Sequence, residues 1–139
     1  MVEKLLRSCP EVEKVYILAR AKKGKNVRER VNELISVPAF DKLRESNADA
    51  LEKIIAIEGD ITKEKFGMSD ADLKLLYDKV GVVIHSAATI SFTEPLRVAT
   101  QINLLGTMEI MKMCHQMRNL EVKFEGGFCD LPDDLNFLL

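Results

Sequence analysis

The sequence predicts an α/β fold, an incomplete doubly wound parallel sheet with helices on both faces. Three observations carry this. Short apolar runs alternate along the chain with stripes of helical period, the pattern of a sheet whose strands are joined by helices. The runs are apolar at every position instead of every second one, as in strands covered on both faces. The chain has 139 residues, which suits one domain.

Each element follows from local chemistry. Val2, Leu5, Leu6 and Cys9 form one helical stripe, which Pro10 ends. This helix opens at the first residue without a capping side chain, so a preceding segment is expected. Val15–Ala19 is a run of strand formers. Arg20–Lys25 is a basic turn around Gly24, and Asn26 with Glu29 forms a capping box for a helix carrying Val27, Val31, Leu34 and Ile35. Pro38 stops it, and Phe40, Leu43 and Leu51 suggest a further short helical stretch. Ile54–Ile57 is the second run and closes on Glu58-Gly59-Asp60. Ser69 with Asp72 caps a helix bearing Leu73, Leu76 and Val80, and Val82–Ile84 is the third run. A long helix then extends from about Pro95 to Met117 with Ala99, Ile102, Gly106, Ile110, Met113 and Met117 on one face. Glu121–Phe124 reads as a last strand, and the apolar Leu135–Leu139 has no partner in the pattern.

Composition excludes several classes. The chain is 47% hydrophobic and 30% charged, with a net charge of −2, so nothing pulls it toward nucleic acid or an anionic membrane. No apolar run approaches the roughly 20 residues of a membrane helix. Cys9, Cys114 and Cys129 are odd in number and far apart, which reads as reduced thiols in an intracellular protein. No set of residues has metal-ligand spacing.

Four constellations fall where an open α/β sheet binds ligands, beyond the carboxyl ends of the strands. Arg20, Lys22, Lys23 and Lys25 come directly after the first run. An acidic residue there would take ribose hydroxyls, whereas a basic one accommodates a 2′-phosphate; a solvated basic loop is the plainer alternative. Asp60 can accept from an adenine amino group, with Gly59 supplying a sharp turn, or Asp60 can simply cap the next turn of the chain. His85-Ser86-Ala87-Ala88 offers two small residues along which a dinucleotide can lie; His85 itself reads first as a structural histidine. Asn103 and Gly106 share the long helix. A glycine there costs about 1 kcal/mol against alanine and so calls for close approach of the helix to the sheet. Asn103 either is exposed or holds a backbone group near an active site. No GxxGxxG loop, Walker loop or YxxxK pair occurs in the sequence.

The order of these signals is more specific than any one of them. The stretch VEKLLRSCPEVEKVYILARAKKGKNVRERVNELISVPAF, then EGDI, VIHSAATISF and PLRVATQINLLGT, resembles extended short-chain dehydrogenases and, more narrowly, the fatty acyl-CoA reductase or male-sterility family, over about residues 2 to 121. The resemblance implies a Rossmann-like NAD(P)-binding domain lacking its first strand and truncated at both ends. It spans residues 1–122, with 123–139 a divergent tail. It also implies NADPH-dependent reduction of long-chain acyl-CoA to fatty alcohol. Arg20, with Lys22 or Lys23, would face the 2′-phosphate; Asp60 and Ile61 would border the adenine; Ala87 and Ala88 would line the dinucleotide path; Asn103 would support the active site. No residue here matches the family's catalytic serine, tyrosine or lysine, so the chain alone is expected to be inert and to bind NADPH poorly. Peroxisomal or endoplasmic reticulum membrane association is implied by the family alone.

Two other classes stay open on the residues. One is another extended dehydrogenase, a thioester reductase or a sugar-nucleotide epimerase, although Arg20 argues against the NAD preference usual in epimerases. The other is a non-catalytic interaction or regulatory chain, for which the apolar Leu135, Phe137, Leu138 and Leu139 are the one hint. The strands are expected in the order third–second, gap, fourth–fifth of a doubly wound sheet, the gap being the position of the first strand. Unless its neighbours close up, two inner edges would lack partners, giving low stability.

Overall fold

Two hydrophobic layers enclose a four-stranded sheet in which every pairing is parallel. The computed structural model describes residues 1–22, 24–91 and 93–121, together with the backbone of a terminal strand, 136–138. In chain order the elements are α1 (Val2–Ser8), β1 (Lys14–Ala19), α2 (Val27–Ile35), α3 (Asp41–Asn47), β2 (Ile54–Glu58), α4 (Asp70–Lys79), β3 (Val82–Val83), α5 (Leu96–Ala99), α6 (Gly106–Cys114) and β4 (Asn136–Leu138). A π-helical turn, Thr100–Leu105, joins α5 to α6 without interrupting the helix.

The capping chemistry read from the sequence is present. The Glu29 amide donates to Asn26 Oδ1 at 2.9 Å, and the Asn26 amide donates to Glu29 Oε2 at 2.8 Å. Ser69 accepts from the Asp72 amide at 3.1 Å and opens α4. α1 has no side-chain cap.

Strand residues divide cleanly between the two faces. Val15, with Ile17, Ile54 and Val82, packs on the first face against Leu6 of α1, Phe40 in the turn before α3, and Leu43 of α3. Tyr16 and Ile57, with Leu18, Ile55 and Val83, pack on the second against Phe66, Leu73 and Leu76 of α4, and Met113 of α6. This two-sided burial is why the runs are apolar throughout.

The strand order is β2-β1-β4-β3. It corrects two expectations. The position between β1 and β3 is not a gap: β4 fills it, with Val15 opposite Phe137 on one side and Val82 opposite Phe137 on the other. The inner edge of β3 is therefore paired along Val82–Val83 and that of β1 along Lys14–Tyr16, which removes most of the reason given for low stability. The terminal apolar segment also has a partner, since 136–138 is the strand that enters the sheet. The strand expected at 121–124 falls, beyond Glu121, outside the described residues, and Glu121 itself is not in a strand.

The step from β1 to β2 is bridged by helices on the first face. After β3 the chain runs through α5 and α6, and α6 packs on the second face through Ile110 and Met113.

Candidate functional site

The carboxyl ends of β1, β2 and β3 open into a groove of about 800 Å³. One wall carries Ala19, Arg20 and Arg30, the middle Gly59, Asp60, Ile61 and Thr62, and the far wall Ser86, Ala87, Ala88 and Thr89. Arg20, Asp60, Ile61, Ala87 and Ala88 are thus brought together from separated stretches of sequence.

The basic turn divides. Lys22 and Lys25 close a tight backbone bridge on each other, N···O 3.1 and 3.0 Å. The Lys25 ammonium is paired with Glu33. Lys22 does not line the groove, and Lys23 lies outside the described residues. Arg20 does line it, with its side chain 60% exposed and 4.0 Å from Asp60. Sequence reading missed Arg30. It donates to the Arg20 carbonyl and lines the same wall. The available signal was its place between Val27 and Leu34 on the apolar stripe of α2, where a charged residue has no reason to sit unless its head reaches a polar site.

Asp60 caps the turn after β2. Its Oδ1 accepts from the Thr62 hydroxyl at 2.7 Å and the Thr62 amide at 2.9 Å. The Thr62 hydroxyl, then the Thr62 amide and more weakly Arg20, hold the carboxyl below its usual range. The second oxygen remains turned toward Arg20. Gly59 does not take the positive φ of a sharp glycine turn. A Cβ there would lie 2.4 Å from Leu18 Cδ1, so a side chain at this position would displace the end of Leu18.

Gly106 is likewise needed for a contact other than the expected one. A Cβ on it would stand 2.6 Å from Ile61 Cγ1. The helix closes on the loop after β2, and Ile61 fills the seat. The next residue of the same helix holds the opposite wall. Thr107 donates its hydroxyl proton to the Asn103 carbonyl at 2.7 Å, so it accepts at 3.0 Å from Nε2–H of His85, which fixes the proton on that nitrogen. The Asn103 side chain accepts from the Thr89 amide at 2.9 Å and donates to the Thr89 carbonyl at 3.0 Å. Asn103 is exposed and holds a backbone segment of the far wall; it does not itself line the groove.

Neither tyrosine is placed for proton transfer in the groove. Tyr16 is buried among α4 side chains, and burial pushes its phenol above the ordinary value. Tyr77 packs against the same cluster. Among the described residues there is no group of His, Cys, Asp and Glu able to hold a metal ion, and no helix long and apolar enough to cross a membrane.

Asp60 and Glu109 both have depressed carboxyl pKa values, Glu109 through the Lys65 amide and then Lys112. A carboxyl that titrates lower in the folded state stabilises the fold above its unfolded pKa, and that stabilisation is lost as pH falls through the folded value. Melting temperature should therefore hold at neutral pH and fall once the pH drops below the ordinary carboxylate range. In Asp60→Asn and Glu109→Gln that acid dependence should be shallower, which thermal melts at stepped pH would read.

A parallel sheet whose strand ends open into a groove lined by small residues, with an arginine directly after β1, defines a dinucleotide-binding domain. Known proteins agree. The family model of an NAD-binding domain described as male sterility protein matches residues 1–124, and the chain belongs to that family. It is 46% identical over 122 residues to mouse fatty acyl-CoA reductase 1 and 48% over 122 residues to a putative fatty acyl-CoA reductase of Drosophila melanogaster. These alignments cover 88% and 87% of this chain but 24% of each relative, so the chain spans about a quarter of their length. Among solved structures, the terminal R domain from the myxalamid PKS-NRPS biosynthetic pathway shares the fold, with a TM-score of 0.63 and 24% identity over 84% of this chain and 28% of that one.

Proposed function

We propose that this chain forms the adenosine-binding part of an NADPH-dependent fatty acyl-CoA reductase. The reaction would convert long-chain acyl-CoA to the fatty alcohol and free CoA, consuming two NADPH and two protons. Membership of the family supports a nicotinamide cofactor and this reaction class. The observation favouring NADPH over NADH is the pair of arginines at the mouth of the groove, Arg20 at the end of β1 and Arg30 beside it. No carboxylate ends β1 to receive ribose hydroxyls; Asp60, which faces Arg20, comes from the next strand. Bound there, the cofactor would supply hydride to the thioester and then the aldehyde carbon. Arg20 and Arg30 would clasp the 2′-phosphate, Asp60 Oδ2 and Ile61 would border the adenine, and Ala87 and Ala88 would let the dinucleotide lie along the backbone. Lys22, which does not line the groove, is left with at most a long-range electrostatic part. Asn103 would keep the far wall in place through Thr89. The proton donor would have to come from outside this chain's described residues.

The test is the preference of this chain for 2′,5′-ADP over 5′-AMP, read by calorimetry. Losing one charge-assisted hydrogen bond is worth about 1.5–3 kcal/mol. Arg20→Ala and Arg30→Ala should each cut the preference by about tenfold or more, and the double variant should abolish it. An unchanged preference in both single variants would remove the arginines from phosphate recognition and with them the case for NADPH.

A further inference from the structure

The loop after β2 is held in an unfavourable backbone shape, and one side chain of α6 holds it. Lys65, Phe66 and Gly67 have φ of 47°, 57° and 60° in succession. Left-handed backbone is disfavoured at a non-glycine residue and persists only where surrounding contacts enforce it. Two of these three residues are not glycine, and Phe66 is a bulky one.

Burial of the Phe66 ring in the second-face core enforces it from one side, and the long helix supplies the polar contacts. Glu109 Oε1 accepts from the Lys65 amide at 2.9 Å, across 44 residues of sequence. Its other oxygen takes the Lys112 ammonium at 3.1 Å, and the Glu109 side chain is 17% exposed. Gln101 Nε2 donates to the Thr62 carbonyl at 3.2 Å, and Gly106 seats Ile61. The strained turn connects directly to the groove, because the Phe66 carbonyl accepts from the Asp60 amide at 2.8 Å. Glu109 therefore fixes Lys65, the turn fixes the backbone of Asp60, and Asp60 faces Arg20.

We propose that Glu109 is a positioning residue for nucleotide binding, holding the Asp60–Ile61 wall of the groove in its binding shape through the Lys65 amide. This rests on the nucleotide-binding reading above. Glu109 touches no ligand; its carboxylate offsets the strain of the left-handed turn. Without it the turn relaxes toward ordinary backbone angles and carries Asp60 and Ile61 away from the adenine position.

Two measurements on this chain test it. Amide hydrogen exchange at Lys65 reports the clamp without any ligand, and titration with 2′,5′-ADP reports its effect on the site. Glu109→Ala should speed exchange at Lys65 and weaken 2′,5′-ADP by roughly two- to thirtyfold, the range of couplings carried through contacts of this kind. Glu109→Gln keeps an oxygen acceptor and should restore most of both, a rescue that a loss of general stability would not show. Should Glu109→Ala fail to fold, Gln101→Ala cuts the second tether and should shift both readouts in the same direction by a smaller factor. Affinity unchanged in Glu109→Ala, or in Gln101→Ala where that variant is used instead, would overturn the proposal. Failure of the wild-type chain to bind 2′,5′-ADP at all would instead overturn the nucleotide reading beneath it.

Discussion

Phe137→Pro should lower the melting temperature by about 10 °C or more. Phe137 lies at the centre of β4 and stands opposite Val15 of β1 and Val82 of β3 at once. Proline there removes a ladder donor, sets its ring against the neighbouring strand and leaves a buried acceptor unsatisfied, a loss of about 1–3 kcal/mol before any unpairing of the strand. The loss does not stop at one residue. A strand of three residues has no remainder that could stay paired, so the inner edges of β1 and β3 open together. A domain of this size has about 5–15 kcal/mol in total, and each kcal/mol moves the midpoint by several degrees. Asn136→Pro is the control, because the first residue of a strand tolerates proline; its effect should be clearly smaller. Equal melts for Phe137→Pro and wild type would mean that β4 contributes nothing to the sheet.

Phe66→Ala should be nearly as damaging, for a different reason. Phe66 is 1% exposed and sits in the second-face core with Leu73, Leu76 and Tyr16. Truncating a buried phenylalanine to alanine typically costs about 3–5 kcal/mol, part transfer free energy and part the cavity left behind. Alanine gains nothing from the left-handed φ at this position, so the backbone strain remains while the packing that offsets it is gone. Denaturant titration should show the midpoint fall with little change in slope. A loss below about 1 kcal/mol would show that the ring is not part of the cooperative core.

Much of this is legible from side-chain pattern because the pattern is imposed locally. The capping pairs Asn26–Glu29 and Ser69–Asp72 act within one helical turn, and the continuous apolar runs at β1 and β2 report two-sided burial. Once strands are placed, the rule that ligands lie at their carboxyl ends gathers Arg20, Asp60, Ile61, Ala87 and Ala88 around one groove without any coordinates. What escapes the pattern is set by distant partners. Asn136–Leu138 is too short to carry a period, and only the space between β1 and β3 makes it a strand. Arg30 and Glu109 look like solvated charges, yet each sits on an apolar helical stripe, Arg30 beside Val27 and Leu34, Glu109 beside Gly106 and Met113. A charge on such a stripe is a request for a partner elsewhere. Gly59 and Gly106 stand out in the sequence, but their purpose does not, because the atoms they make room for, on Leu18 and Ile61, belong to other elements.

The place of β4 has a consequence in time. During synthesis the chain emerges from its amino end, so β1, β2 and β3 are available before the strand that belongs between two of them. The 52 residues from 84 to 135 separate β3 from β4, which at about 5–20 residues per second is roughly 3 to 10 s of translation. Throughout that interval the neighbours on either side present unpaired backbone to whatever is nearby, and a nascent sheet with a vacant centre is a template for other chains. Folding speed also falls with the sequence distance of the contacts that must form, and the pairing of β4 with β1 joins Lys14 to Asn136. The last of the four strands to be made is thus the one that completes the middle of the sheet, and the chain's demand on chaperones should be greatest just before β4 emerges.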